Sequence, residues 1–139
     1  MKIPIIGEVV KDDEFNWHLS EPITVPFLDG RFFSFVLESY LEDACQDDFS
    51  IAISAFLSLG LSSQETVAPY IHHYFRDSMK LAEDYDFPVD SRCHQVHQAN
   101  DVWKLVDLKD EVFVSRRAYG DQQVYVSLEG RCAWDVEHG

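Results

Sequence analysis

Basic residues are scarce in this chain of 139: eleven Lys and Arg stand against 25 Asp and Glu, a formal net charge of −14. So few cations leave a surface that repels phosphate backbones, which argues against nucleic-acid binding through a broad basic face. Anionic membrane surfaces are disfavoured for the same reason. Cysteine is scarce too. Cys45, Cys93 and Cys132 are odd in number and irregularly spaced; they make no disulfide framework and suit a reduced, cytoplasmic setting. No apolar run approaches the roughly 18 residues of a membrane span, and the apolar stretch near Met1 is too short for a signal peptide. Neither a glycine-rich phosphate loop nor a Gly-x-Ser-x-Gly elbow occurs, and there is no internal repeat, low-complexity tract or obvious linker.

What remains is rich in core-forming residues. Hydrophobic side chains make up 46% of the chain and aromatics 14%, enough for a single domain over residues 1–139 to bury a core without covalent staples. The first forty residues read as strands. Residues 3–10 are rich in β-branched side chains. Phe15, Trp17 and Leu19 alternate with polar neighbours, as do Ile23, Val25 and Phe27; period-two alternation marks a half-buried strand. Pro22 and Pro26 cannot donate to a ladder, so their strand is expected at an edge or bulged. Asp29-Gly30 suits a type I′ hairpin turn.

The middle reads as helical. Asp47 or Asp48 is the expected N-cap of a helix to about Leu59, with Phe49, Ile53, Phe56 and Leu57 near one face and Gly60 as the stop. A capping-box pattern at residues 62–65 and the helix-breaking Pro69 suggest a short turn, then a second helix from Pro69 to about Leu81. Its apolar face is Tyr70, Ile71, Tyr74 and Phe75, with His73, Arg76, Asp77 and Lys80 pointing away. Residues 83–100 are the least regular, followed by a brief helix capped by Asn100. Strands return at 112–116 and 124–128 around a turn at Tyr119-Gly120-Asp121-Gln122, and Cys132, Trp134 and Val136 extend the pattern past a bulge at Gly130. The fold class expected is α+β: a mainly antiparallel sheet from an N-terminal meander and a C-terminal hairpin, packed against two or three helices from the middle of the chain.

Several segments carry a resemblance. Residues 5–10, then Trp17-His18-Leu19-Ser20-Glu21-Pro22, Ser115-Arg116-Arg117-Ala118-Tyr119-Gly120-Asp121 and Trp134-Asp135-Val136-Glu137-His138-Gly139 together resemble a bacterial domain family of unknown function, over nearly the whole chain. The resemblance implies a cytoplasmic bacterial α+β domain and implies no activity. Members of that family usually continue with a further apolar strand. Its absence here would leave a sheet edge open to pairing, and hence to homo-oligomerisation.

Three chemistries have candidate residues. Cys93-His94-Gln95-Val96-His97 offers zinc ligands, but as one cluster rather than the paired clusters a tetrahedral site needs. Cys93 beside His94 has the ingredients of a nucleophile. Acidic pairs such as Asp12-Asp13 are explained by turns and caps. The most distinctive cluster is the basic pair Arg116-Arg117 next to Tyr119 and Asp121. Arginine forks hold carboxylates or phosphates bidentately, although pairing with the chain's own Asp and Glu is the commoner role. Trp134, Glu137 and His138 join this binding site if the terminal strands pair.

The balance favours a non-catalytic binding domain, an accessory or immunity-type protein recognising a basic partner. It requires no cofactor and no metal, and its partners exclude nucleic acid and membrane. Two alternatives stand beside it: a small-molecule-binding or hydrolytic enzyme using Arg116, Arg117, Tyr119 and His138, and a zinc protein using Cys93, His94 and His97.

Overall fold

The computed structural model describes residues 1–134. In chain order these form β1 (Lys2–Ile3), β2 (Gly7–Asp12), β3 (Trp17–Ser20), β4 (Ile23–Val25), β5 (Arg31–Glu38), α1 (Asp47–Ser58), α2 (Ser63–Asp84), β6 (Val106–Arg116) and β7 (Val124–Cys132), with 3₁₀ turns at Pro26–Leu28, Ser91–Gln95 and Ala99–Leu105. The α+β expectation holds. Strand order is β1-β2-β3-β5-β6-β7, with β4 paired to β5. The residues group into two compact units: 1–61 with 110–129, and 62–109 with the chain from 130 onward.

The first unit is built around β5. Its residues Val36 and Leu37 pair antiparallel with Leu19 and His18 of β3, and parallel with Phe113 and Val114 of β6. A strand flanked on both sides and covered on both faces reads as a continuous apolar run rather than an alternation, which is why Phe33, Phe35, Val36 and Leu37 are all fully buried. β3 and β4 lie along the same side of β5, interrupted at Glu21-Pro22. Pro22 has no N–H to give. The interruption is closed by Ser20, whose hydroxyl accepts the Phe35 N–H at 2.8 Å and donates to the Glu21 carbonyl. The expected bulge around this proline is therefore present.

Residues 3–10 are not one strand. Positive φ at Ile5 and Gly7 turns the chain into a β1–β2 hairpin. Asp29 and Gly30 do adopt the expected consecutive positive φ of 59° and 72°, but they close a five-residue 3₁₀ connection with Val25 opposite Arg31, not a two-residue turn. α1 presents Phe49 and Ile53, one turn apart and both fully buried, with the Phe56 ring at 6.2 Å from Phe35. Its N-cap position is Gln46, and Asp47 and Asp48 occupy the first turn instead. It ends where Leu59 becomes extended, so Gly60 supplies no left-handed cap.

The second unit is organised by α2. This helix begins at Ser63, earlier than the Pro69 expectation, and carries Pro69 within it. Pro69 removes one backbone bond and crowds the preceding turn. The helix continues because a stripe of Ala68, Ile71, Phe75, Met79 and Ala82 packs as one face, and such tertiary packing outweighs local propensity. Tyr70, expected on that face, is exposed. The Trp103 indole N–H donates to the Gln64 carbonyl at 3.0 Å and ties down the first turn. Val102, Leu105 and Trp134 complete the core, with the Phe75 and Trp134 rings edge-to-face at 5.4 Å. The Ala99–Leu105 turn is started by Asp101, whose carboxylate accepts the His97 and Gln98 amides, and not by Asn100. β7 continues through Gly130 to Cys132. A Cβ at Gly130 would lie 2.6 Å from the Asp107 carbonyl oxygen, and that close approach is what demands glycine. Trp134 follows the strand in a turn; Val136 lies outside the described residues.

Candidate functional site

In the first unit, the β6–β7 hairpin brings Arg116, Arg117, Tyr119 and Asp121 to one end. Arg116 is held by its own chain. Its Nε and Nη2 donate to the two carboxylate oxygens of Asp43, each at 2.9 Å, and Nη2 also reaches Asp48 at 2.8 Å. Nη1 donates to the Gln122 carbonyl. The guanidinium holds the Asp43 carboxyl below the usual aspartate range, and the two carboxylates raise the arginine in turn. Arg117 lies over the Tyr125 ring at 4.0 Å, in cation–π geometry. The Tyr125 hydroxyl donates to Asp121, which lowers the Asp121 carboxyl and raises the phenol. Tyr119 is 84% exposed and Trp134 is buried in the second unit's core. Glu137 and His138 lie outside the described residues.

A second surface on this unit lies at the β2–β3 turn. The Asp12 carboxylate accepts the Glu14 amide, and Asn16 turns the chain with φ of 55°. Phe15 stands 53% exposed, stacked on Trp17 at 4.8 Å. Asn16 Nδ2 donates to Glu42 at 3.0 Å, which, with a backbone bond, lowers that carboxyl. Asp12, Asp13, Glu14 and Glu42 therefore gather around an aromatic platform.

The matching family is described as a domain of unknown function, DUF6985, and it covers residues 5–139. The chain belongs to that family. Neither a curated protein nor a solved structure matches it.

In the second unit of this DUF6985 chain, a hollow of about 870 Å³ opens beside the C-terminal half of α2 and the 86–96 segment. Phe75, Met79, Ala82, Cys93 and Val96 give it an apolar floor, and charged side chains of α2 stand around it. The sequence singled out Cys93 and His94 here but not the hollow, because 83–96 lacks any period. The available signal was the apolar Phe87, Val89 and Val96 set singly among polar residues. Cys93 is buried here, and burial pushes its thiol up, away from the thiolate a nucleophile needs. Among the described residues, no three His, Cys, Asp or Glu side chains converge as a metal-ligand set, so Cys93, His94 and His97 do not form one. No described helix is long and apolar enough to cross a membrane.

Proposed function

We propose that this chain is a non-catalytic interaction domain of the bacterial cytoplasm, of accessory or immunity type, and that its first unit docks a basic segment of a partner protein. The observation that carries this reading is the exposed Phe15–Trp17 stack set among Asp12, Asp13, Glu14 and Glu42. An arginine or lysine laid on a ring face is attracted by the ring's quadrupole, and flanking carboxylates add attraction and direction. Charge supports it further: the first unit holds five Lys and Arg against fifteen Asp and Glu. Three of those five cations are already engaged, Arg31 with Asp110, Arg116 with Asp43 and Asp48, and Arg117 over Tyr125. The free cysteines, with Cys45 exposed, suit a reducing compartment.

Titration with an arginine-rich peptide at low and at physiological salt tests the proposal. Binding is expected to weaken about tenfold as salt screens the field, and Phe15→Ala is expected to weaken it at both salts. Absence of binding, or binding indifferent both to salt and to Phe15→Ala, defeats the reading.

A further inference from the structure

We infer that the hollow beside α2 is a receptor for a short, extended, apolar peptide with both termini charged. The inference is independent of the basic-partner surface, which belongs to the other unit. Its volume of about 870 Å³ lies within the range of about 300–1,000 Å³ common to small-ligand sites. Its floor is apolar and includes Met79, a residue that adapts to varied apolar shapes.

The rim gives the ligand its class. Arg76, Lys80 and Glu83 follow one another along α2, and Asp86 lies just past its end. All four are exposed, and among the described residues their side chains make no ion pair or hydrogen bond with one another or with neighbours. Four other cations, Arg31, Arg92, Lys104 and Arg116, are each matched to a carboxylate. Asp77, also on this rim, is taken by His73 at 3.4 Å. In chain order the four unmatched charges run positive, positive, negative, negative, with the His73-bound Asp77 beside Arg76.

Arg76, Lys80 and Glu83 recur at helical spacing on one stripe of α2. Seven residues of helix place Arg76 and Glu83 about 10 Å apart along the axis. Three residues of extended chain span about the same length. A tripeptide lying antiparallel to α2 would set its carboxylate at Arg76 and Lys80 and its ammonium at Glu83 and Asp86. The negative end of the helix dipole favours the ammonium at that same end. Apolar side chains would then rest on Phe75, Met79 and Val96. Exposed ion pairs are individually weak, so the termini fix direction and length while the apolar side chains supply most of the affinity.

The test uses the full chain and the tripeptide Val-Leu-Phe with free termini, followed by amide chemical shifts. Saturable binding is expected, with shifts centred on α2 beyond Phe75 and on residues 86–96. N-acetylation and C-amidation are each expected to weaken binding about threefold or more, as loss of one exposed pair implies. The double variant Arg76→Gln with Lys80→Gln should weaken the free peptide and leave the C-amide unaffected. Glu83→Gln with Asp86→Asn should do the same for the free peptide and spare the N-acetyl form. All four positions are exposed, so the variants should fold as the parent does. No saturation at about 1 mM peptide, the weak limit of useful affinity, overturns the inference. So does equal affinity for free and blocked peptides, or octanoate binding as tightly as the peptide.

Discussion

Each unit has an arginine gripped by an aspartate through a bidentate pair of hydrogen bonds, and the two grips differ in reach. Arg92 holds Asp90, two residues away, and Asp90 also accepts the Arg92 amide; this starts a local 3₁₀ turn and pulls the Asp90 carboxyl down to about 2. Arg116 holds Asp43, 73 residues away, and joins a β-hairpin end to the segment leading into α1. The first unit is also long-range in its core, where β5 meets strands from both ends of the chain. The second is mostly consecutive: α2, the 3₁₀ turns and their stripe of side chains come in sequence, with Trp134 as the late addition. Charge divides the same way. The first unit carries fifteen acidic residues against five basic, the second ten against six. A long-range architecture with a strong negative field depends on a few buried contacts and a few well-placed cations, so single substitutions should expose it.

The largest effect is expected at β5. Phe35 is fully buried, its amide is bound by Ser20, and its ring meets Phe56. Phe35→Ala should cost about 3–5 kcal/mol by urea unfolding, with faster amide exchange in β3, β5 and β6. A cost below about 1 kcal/mol, the level of a peripheral site, would mean that β5 is not the keystone of its unit.

The same contrast decides what the sequence disclosed. β4 was visible because burial on one face leaves a period of two; β3 alternates as well, but its polar His18 and Ser20 are the buried residues and Trp17 and Leu19 the half-buried ones. α1 was visible because Phe49 and Ile53 are a turn apart. The start of α2 was not, since a local rule about Pro69 was outweighed by a stripe whose partners, Val102, Leu105 and Trp134, lie far along the chain. The 3₁₀ segments at Pro26–Leu28 and Ser91–Gln95 escaped for want of any long period, while the one at Ala99–Leu105 was expected as a brief helix with another cap. At the arginine cluster, the residues were readable but their partners were not. Nothing in the spacing of Arg116 and Asp43 announces that they meet. The Phe15–Trp17 stack was read only as strand alternation, because exposure of one ring depends on the turn at Asn16.

The long-range grip predicts an acid limb. The Asp43 carboxyl is lowered chiefly by its hydrogen bonds from Arg116. A carboxyl lowered in the folded state binds its proton more readily when unfolded, so its contribution is complete above its ordinary titration range and is lost as pH falls through its folded value. Asp43→Asn should therefore lower the melting temperature by several degrees at pH 7 and flatten the decline below about pH 4, where free aspartates titrate. Thermal melts from pH 7 to pH 2.5 check this. A variant that keeps the parent's acid limb would show that the grip adds nothing to it. The Arg92–Asp90 grip, being local and exposed, should move melting far less when Asp90→Asn is made in parallel.

A smaller effect of the same sign is expected higher on the pH scale, at His18. This side chain on β3 is only 2% exposed, and its Nδ1 has no partner among the described residues. Its ring packs edge-on to Tyr40, while Lys11, Glu42 and the N-terminal ammonium are the charges that act on it. Burial is the main cause that lowers its pKa, Lys11 adds to it, and Glu42 opposes. The unfolded chain takes up a proton near pH 6.5 and the folded one does not, so stability is full above that value and declines as pH falls below it. His18→Leu removes both the titration and the unpartnered nitrogen. It should leave stability at pH 8 within about 1 kcal/mol of the parent and abolish the decline between pH 7 and 5. If the parent shows no decline in that window, or the leucine variant declines as steeply, the imidazole is not held neutral by its burial in the sheet. Because Glu42 is also bound by Asn16 beside the Phe15 platform, Glu42→Gln should steepen the same decline by removing the charge that, among the described residues, favours the protonated ring.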